Sequence, residues 1–158
     1  MKKNVYAKDF FPVILEMLAQ DNRAIFTVTG MSMWPLICHG RDQVIVERCD
    51  PKKLKKGDII LFEPLPGQYM LHRITRLGLD YFETTGDGNC FRDGTFSRNC
   101  VKAKVTKIIR KGKKINCSTI GWKVVFWCWS HLFFVRKALL FLLLKLTKFK
   151  NHFHAIKR

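Results

Sequence analysis

Three short segments of this chain carry side chains that together could cleave an acyl bond. Thr29-Gly30-Met31-Ser32-Met33-Trp34-Pro35 sets a serine between a glycine and a proline, Leu71-His72-Arg73-Ile74 holds a histidine in an apolar run, and Thr85-Gly86-Asp87-Gly88-Asn89 offers an aspartate in a turn. A serine hydroxyl is a weak nucleophile because it must shed a proton as it attacks, so it needs a base within hydrogen-bond reach. Free imidazole titrates near about pH 6.5 and can take that proton at neutrality. A carboxylate behind the imidazole would fix its tautomer and stabilise the cation that forms. Taken singly, each segment has a plainer explanation. Ser32 could sit in a strand-edge turn with Met33 and Trp34 as core, His72 could be a satisfied core histidine, and Gly-Asp-Gly-Asn is a good turn with no chemistry attached.

In this order, Ser-Met-x-Pro over Ser32 to Pro35, the His-Arg pair at His72 and Arg73, and Gly-Asp-x-Asn over Gly86 to Asn89 resemble the type I signal peptidase family. The resemblance is to its histidine-using branch, typified by archaeal, endoplasmic-reticulum and sporulation-type enzymes, and it covers roughly Ile25 to Asn116. It implies a mainly β, signal peptidase/LexA-like coiled sheet and a serine endopeptidase acting on signal or leader segments of preproteins or peptide precursors. It also implies Ser32 as nucleophile and His72 as general base, where bacterial signal peptidases and LexA-type repressors carry a lysine. Asp87 takes the acidic role, with Asp93 in reserve. The backbone N–H of Ser32 is the natural oxyanion donor. Some relatives supply a hydroxyl two positions before the nucleophile, but Gly30 stands there, so a second donor must come from another backbone group. An extended substrate would lie along the edge near Ala24 to Met31, touching Gly30, Met31 and Met33. No cofactor is implied. No metal site is implied either, because His39, His131, His152 and His154 have no acids at ligand spacing.

Around these segments the sequence predicts a short helix and then strands. Asp9 can cap a helix carrying Phe10, Phe11, Ile14, Leu15 and Leu18 on one face, with Pro12 in its first turn. Strand character recurs over Ala24 to Thr29, Gln43 to Glu47, Asp58 to Phe62, Tyr69 to Leu77, Tyr81 to Thr85 and Val101 to Ile109. Arg110-Lys111-Gly112-Lys113 predicts a hairpin returning into Lys114-Ile115-Asn116. Alternation along the Tyr69 strand puts Met70, His72 and Ile74 on one face, Leu71 and Arg73 on the other. The expected organisation is a helix over 1–22, a catalytic β domain over 23–118 and a basic, apolar membrane-associating segment over 119–158.

Charge separates that last segment from the rest. Of a formal net charge of +17, residues 1–100 hold 14 Lys or Arg against 12 Asp or Glu, whereas residues 101–158 hold 15 basic residues and no acid. That imbalance calls for an anionic partner, and the leucine-rich setting favours a lipid surface over nucleic acid. Only about 25 residues precede the catalytic-like region, too few for a helix-turn-helix domain and linker. Between Trp122 and Lys148 the apolar run is broken by Lys123, Ser130, His131, Arg136, Lys137 and Lys145. Within Val124 to Leu144, about 14 apolar side chains favour insertion by about 0.3–0.6 kcal/mol each, while Arg136 and Lys137 near the centre cost about 2.5–3.5 kcal/mol each. The near balance favours an interfacial helix or helical hairpin over a span or a core helix, with Lys123, Ser130 and Lys137 wet and Trp127, Phe133, Leu140 and Leu144 in the lipid.

At the other end, Met1-Lys2-Lys3-Asn4 is basic, but Lys8, Asp9, Pro12 and Glu16 interrupt the apolar positions beyond it. The sequence therefore predicts neither a secretory leader nor an amino-terminal anchor. Six scattered cysteines without a Cys-x-x-Cys pair read as reduced thiols. The competing reading of the whole chain is a non-catalytic membrane-surface binder that keeps the peptidase fold.

Overall fold

The computed structural model describes residues 7–132 and 135–156, with side chains over 10–132 and 135–146. The architecture is mainly β. Helix α1 (Ala7–Asp21) precedes strands β1 (Arg23–Thr27), β2 (Asp42–Glu47), β3 (Ile59–Leu65), β4 (Gln68–Leu77), β5 (Tyr81–Thr85), β6 (Gly94–Ser97), β7 (Val101–Arg110) and β8 (Lys113–Asn116). Helices α2 (Ile120–His131) and α3 (Arg136–Ile156) complete the chain order. The strands form one antiparallel sheet in the order β1-β2-β7-β3-β4-β5-β6, with β8 paired to β7.

β3 is the spine of this sheet. Ile59 and Leu61 enter a larger core with Val44, Val46, Ala103, Val105 and Ile108, while Ile60 and Phe62 enter a smaller one with Ile74 and Phe82. A strand buried on both faces reads as an unbroken apolar run, which is the pattern of Ile59-Ile60-Leu61-Phe62. In the smaller core Phe62 and Phe82 meet edge-on at 5.3 Å. Ile14 and Leu18 of α1 close the larger core. Helix α1 begins two residues before Asp9, so Asp9 lies inside it and not at its cap, and Pro12 falls in the second turn, where it forgoes a helical hydrogen bond.

Strand β6 carries too few apolar residues to declare itself in sequence. The predicted apolar stretch after Trp122 is also not one rod. It divides after His131, and α2 and the segment Arg136–Leu146 meet at 113°. The seven-residue spacing of Lys123, Ser130 and Lys137 therefore does not mark a single helical face. Leu140 and Arg136 are buried against protein, whereas Phe141, Leu142 and Leu144 are exposed. No single helix among the described residues is long and apolar enough to cross a membrane; the bent pair reaches that length and composition only together. Phe133, and the side chains of His152 and His154, lie outside the described residues.

The long connection between β1 and β2, which carries Ser32, is fastened at its far end by Asp42. Its buried carboxylate accepts from Arg41 Nε at 2.8 Å, Arg110 Nε at 3.0 Å and the Cys38 amide at 2.8 Å, while Arg110 Nη2 also reaches Leu36 O at 2.7 Å. Burial alone would raise the Asp42 pKa, but the hydrogen bonds from Arg41 and Arg110 overcome it and hold the carboxyl well below the ordinary range. A depressed native pKa contributes stability that is present above the unfolded value of about 4 and is lost as pH falls below it. Asp42→Asn is thus expected to lower the melting temperature at pH 7, with the gap to the parent closing as pH falls below about 4. Melting curves across that range check it; a gap that does not change with pH would contradict the assignment.

Candidate active site

β4 puts His72 and Arg73 on opposite faces, and each finds a different carboxylate. His72 lies opposite Ile60 in β3, and Ile74, on the same face, lies opposite Thr84 in β5. The chain leaves β5, turns through Gly86 to Asn89, and returns as Asp93 N–H donates to Thr84 O at 3.0 Å. That return brings Asp93 Oδ2 to 2.6 Å from His72 Nδ1, with Thr84 Oγ1 donating to the same oxygen at 2.9 Å. An ionised carboxylate only accepts, so Nδ1 is the donor, and in the neutral tautomer this geometry selects, Nε2 carries the lone pair. The pair is almost fully enclosed, with side chains 7 % and 4 % exposed.

Asp87, expected behind His72, is elsewhere. Arg73 grips it with two parallel hydrogen bonds, Nε to Oδ1 at 2.7 Å and Nη2 to Oδ2 at 2.6 Å, both side chains being 2 % exposed. Arg73 pairs with Thr85, the last residue of β5, and the turn that follows carries Asp87 onto Arg73. The acid beside the histidine is therefore Asp93, the residue held in reserve, while Asp87 serves the neighbouring arginine. Alternation separates His72 from Arg73 in the sequence, but which carboxylate each of them meets is decided by the path of the chain after β5.

The Gly86–Asn89 turn meets the serine directly. Gly88 N–H donates to Ser32 O at 2.7 Å. A Cβ on Gly86 would stand 2.4 Å from Ser32 O, and one on Gly88 would stand 2.7 Å from Met31 O, so these glycines are required by close approach. On the other side of the loop, Gly30 has a positive φ of 87° and its N–H donates to His39 Nδ1 at 3.0 Å. His39 thus shapes the serine loop, a role that nothing in its sequence context signals. The amide of Ser32 makes no hydrogen bond among the described residues and is available to an oxyanion.

Ser32 and His72 line one cleft of about 670 Å³. Its walls include Phe10 and Phe11 of α1, Ile25 to Thr29 and Tyr69 to His72. Phe11 stacks on Tyr69 at 4.6 Å. Of the expected substrate contacts, Met33 lines the cleft although it is largely buried, whereas Gly30 and the exposed Met31 do not. No hydrogen bond joins Ser32 Oγ to His72 among the described residues; in ligand-free enzymes such bonds are often formed only with substrate.

The carboxy-terminal helices brace this arrangement. Trp129 Nε1 donates to Asp87 O at 2.9 Å, the Phe126 ring lies 3.8 Å from the Arg73 guanidinium carbon, and Arg136 reaches Asn89 O at 3.2 Å and Trp129 O at 3.0 Å. Arg136, which in the sequence counts as a cost of membrane insertion, is a buried clamp on the site's turn. Burial pulls its guanidinium below the usual value, with Asp87 opposing.

No family model matches the chain, and no curated protein matches it in sequence. The two carboxylates should separate experimentally. Asp87→Ala strands the buried Arg73 charge and is expected to cost about 3–5 kcal/mol of stability by denaturant titration. Asp93→Ala should cost less, while abolishing the downfield proton signal of the His72 Nδ1–H hydrogen bond. Persistence of that signal in Asp93→Ala would reassign the partner.

Proposed function

We propose that the chain is a serine endopeptidase of the signal-peptidase type, with a signal peptidase/LexA-like sheet, cutting extended signal or leader segments of preproteins or peptide precursors. Ser32 is the nucleophile, His72 the general base and Asp93, in place of Asp87, the orienting acid. The observation that carries this reading is the shared cleft: Ser32 and a histidine backed by a buried carboxylate open onto the same space.

That space suits a strand. β1 is the terminal strand of the sheet, so among the described residues its outer edge has no strand partner. β5 pairs with β4 only from Arg73 onward, which leaves the stretch ending at His72 without a strand partner on that side among the described residues. Both stretches line the cleft, so a peptide in extended form can exchange backbone hydrogen bonds with the walls. Phe10, Phe11, Phe26 and Tyr69 favour apolar substrate side chains.

In the reaction His72 Nε2 takes the Ser32 hydroxyl proton as Oγ attacks the scissile carbonyl, and the Asp93 carboxylate stabilises the resulting imidazolium. The Ser32 amide faces the oxyanion, and the tetrahedral intermediate collapses as His72 returns the proton to the leaving amine. Water, activated by the same imidazole, then releases the acyl group from Ser32. We further propose that the enzyme works at an anionic membrane surface, which the exposed apolar residues of α2 and α3 support.

The alternative, a non-catalytic surface binder, draws support from the missing Ser32–His72 hydrogen bond. A peptide library separates the two. Cleavage after defined residues is expected, falling roughly a thousandfold or more in Ser32→Ala and by about 10²–10⁴ in Asp93→Asn. Undiminished activity of Ser32→Ala would end the protease reading.

A further inference from the structure

A second cavity, of about 710 Å³, lies between α2 and the sheet and shares no lining residue with the Ser32–His72 cleft. Lys55 and Lys56 from the turn before β3, Lys104 from β7, and Lys123 and His131 from α2 converge on it. Its one acid, Asp58, is already committed, with Oδ1 at 2.9 Å from Lys104 Nζ and Oδ2 accepting from the Lys55 amide at 2.8 Å. Lys55, Lys56 and Lys123 are exposed and form no ion pair among the described residues. Cys117 in the wall adds no negative charge, because burial pushes its thiol up to about 11. Like charges gathered without counter-charge repel one another, so this cluster stores a preference for a multiply bonded anion.

The same helix supplies an apolar surface beside the cations. Ile120, Val124, Val125 and Trp127 are exposed, and Trp127 is both 63 % exposed and part of the cavity wall. An indole with one edge wet and its body apolar suits the boundary between headgroups and acyl chains. A soluble phosphate would use the lysines and leave this apolar rim facing water; a lipid uses both.

We propose that this cavity binds the phosphate headgroup of an anionic phospholipid, with α2 lying in the interface above it. The inference rests on the membrane-surface part of the preceding reading and not on its protease chemistry. It differs from attraction by the basic chain end, because it assigns a built site more than 20 residues earlier in the sequence.

The test uses the full chain carrying Ser32→Ala, so that loss of cleavage cannot be confused with loss of binding. Binding is measured to phosphatidylcholine vesicles with and without phosphatidylglycerol, and to inorganic phosphate alone. One variant carries Lys55→Gln, Lys56→Gln and Lys123→Gln. A control removes the same charge from the β7–β8 hairpin through Lys111→Gln, Lys113→Gln and Lys114→Gln. All six lysines are exposed, so both variants are expected to keep the parental melting temperature. Binding confined to anionic vesicles is expected, weakened about tenfold or more in the cavity variant and less than about threefold in the control. Equal weakening in the two variants would overturn the proposal in favour of diffuse attraction. Saturable binding of inorganic phosphate, lost in the cavity variant and without preference for anionic vesicles, would overturn it in favour of a soluble anion.

Discussion

The buried ion pair between Arg73 and Asp87 is the constraint on which the site's geometry depends. Two charges withdrawn from water are tolerable only if their hydrogen-bonding capacity is met. Here two parallel bonds and Gly57 O at 2.8 Å from Arg73 Nη1 meet it, while the Phe126 face covers the guanidinium and the Trp129 indole holds the main-chain carbonyl of Asp87. The pair locks the turn after β5 against β4. The turn in turn holds the serine loop through Ser32 O. The histidine one residue before Arg73 and the serine touching the turn are therefore located by the same fastening.

Much of this was legible in the sequence because periodicity is local. The strands over Tyr69 to Leu77, Tyr81 to Thr85 and Val101 to Ile109 emerge within a residue of their expected bounds, and Ile59 to Phe62 is buried on both faces. Ser32 and His72 open onto one cleft. What was not legible depends on contacts between distant segments. The exchange of Asp93 for Asp87 turns on which face each carboxylate reaches, and on a chain reversal closed by a backbone bond from Asp93 to Thr84. The role of His39 depends on a loop folding back by nine residues to Gly30. Neither leaves a trace in composition.

Charge carries a similar lesson. The surplus of basic residues after residue 100 suggests a single anionic partner, yet part of that surplus is spent inside the sheet. Lys102 meets Glu63 at 2.9 Å, Lys104 meets Asp58 at 2.9 Å and Arg110 meets Asp42 at 2.9 Å. These bases of β7 face acids on the neighbouring strands, Asp42 in β2 and Glu63 in β3, and Asp58 just before β3. Of the charge left over after residue 100, Lys111, Lys113 and Lys114 lie at the hairpin between β7 and β8, Lys123 on α2, and Lys137 and Lys145 on α3, while Lys55 and Lys56 add to it from the turn before β3.

The donation from the Trp129 indole to the carbonyl of Asp87 gives the carboxy-terminal helices a second meaning. A detachable tether can be trimmed away and leave its cargo intact. These helices cannot, because shortening the protein after β8 would strip the Trp129 indole from Asp87, the Phe126 ring from Arg73 and the Arg136 guanidinium from Asn89 in a single cut. The portion that looks most like an anchor is also a keystone.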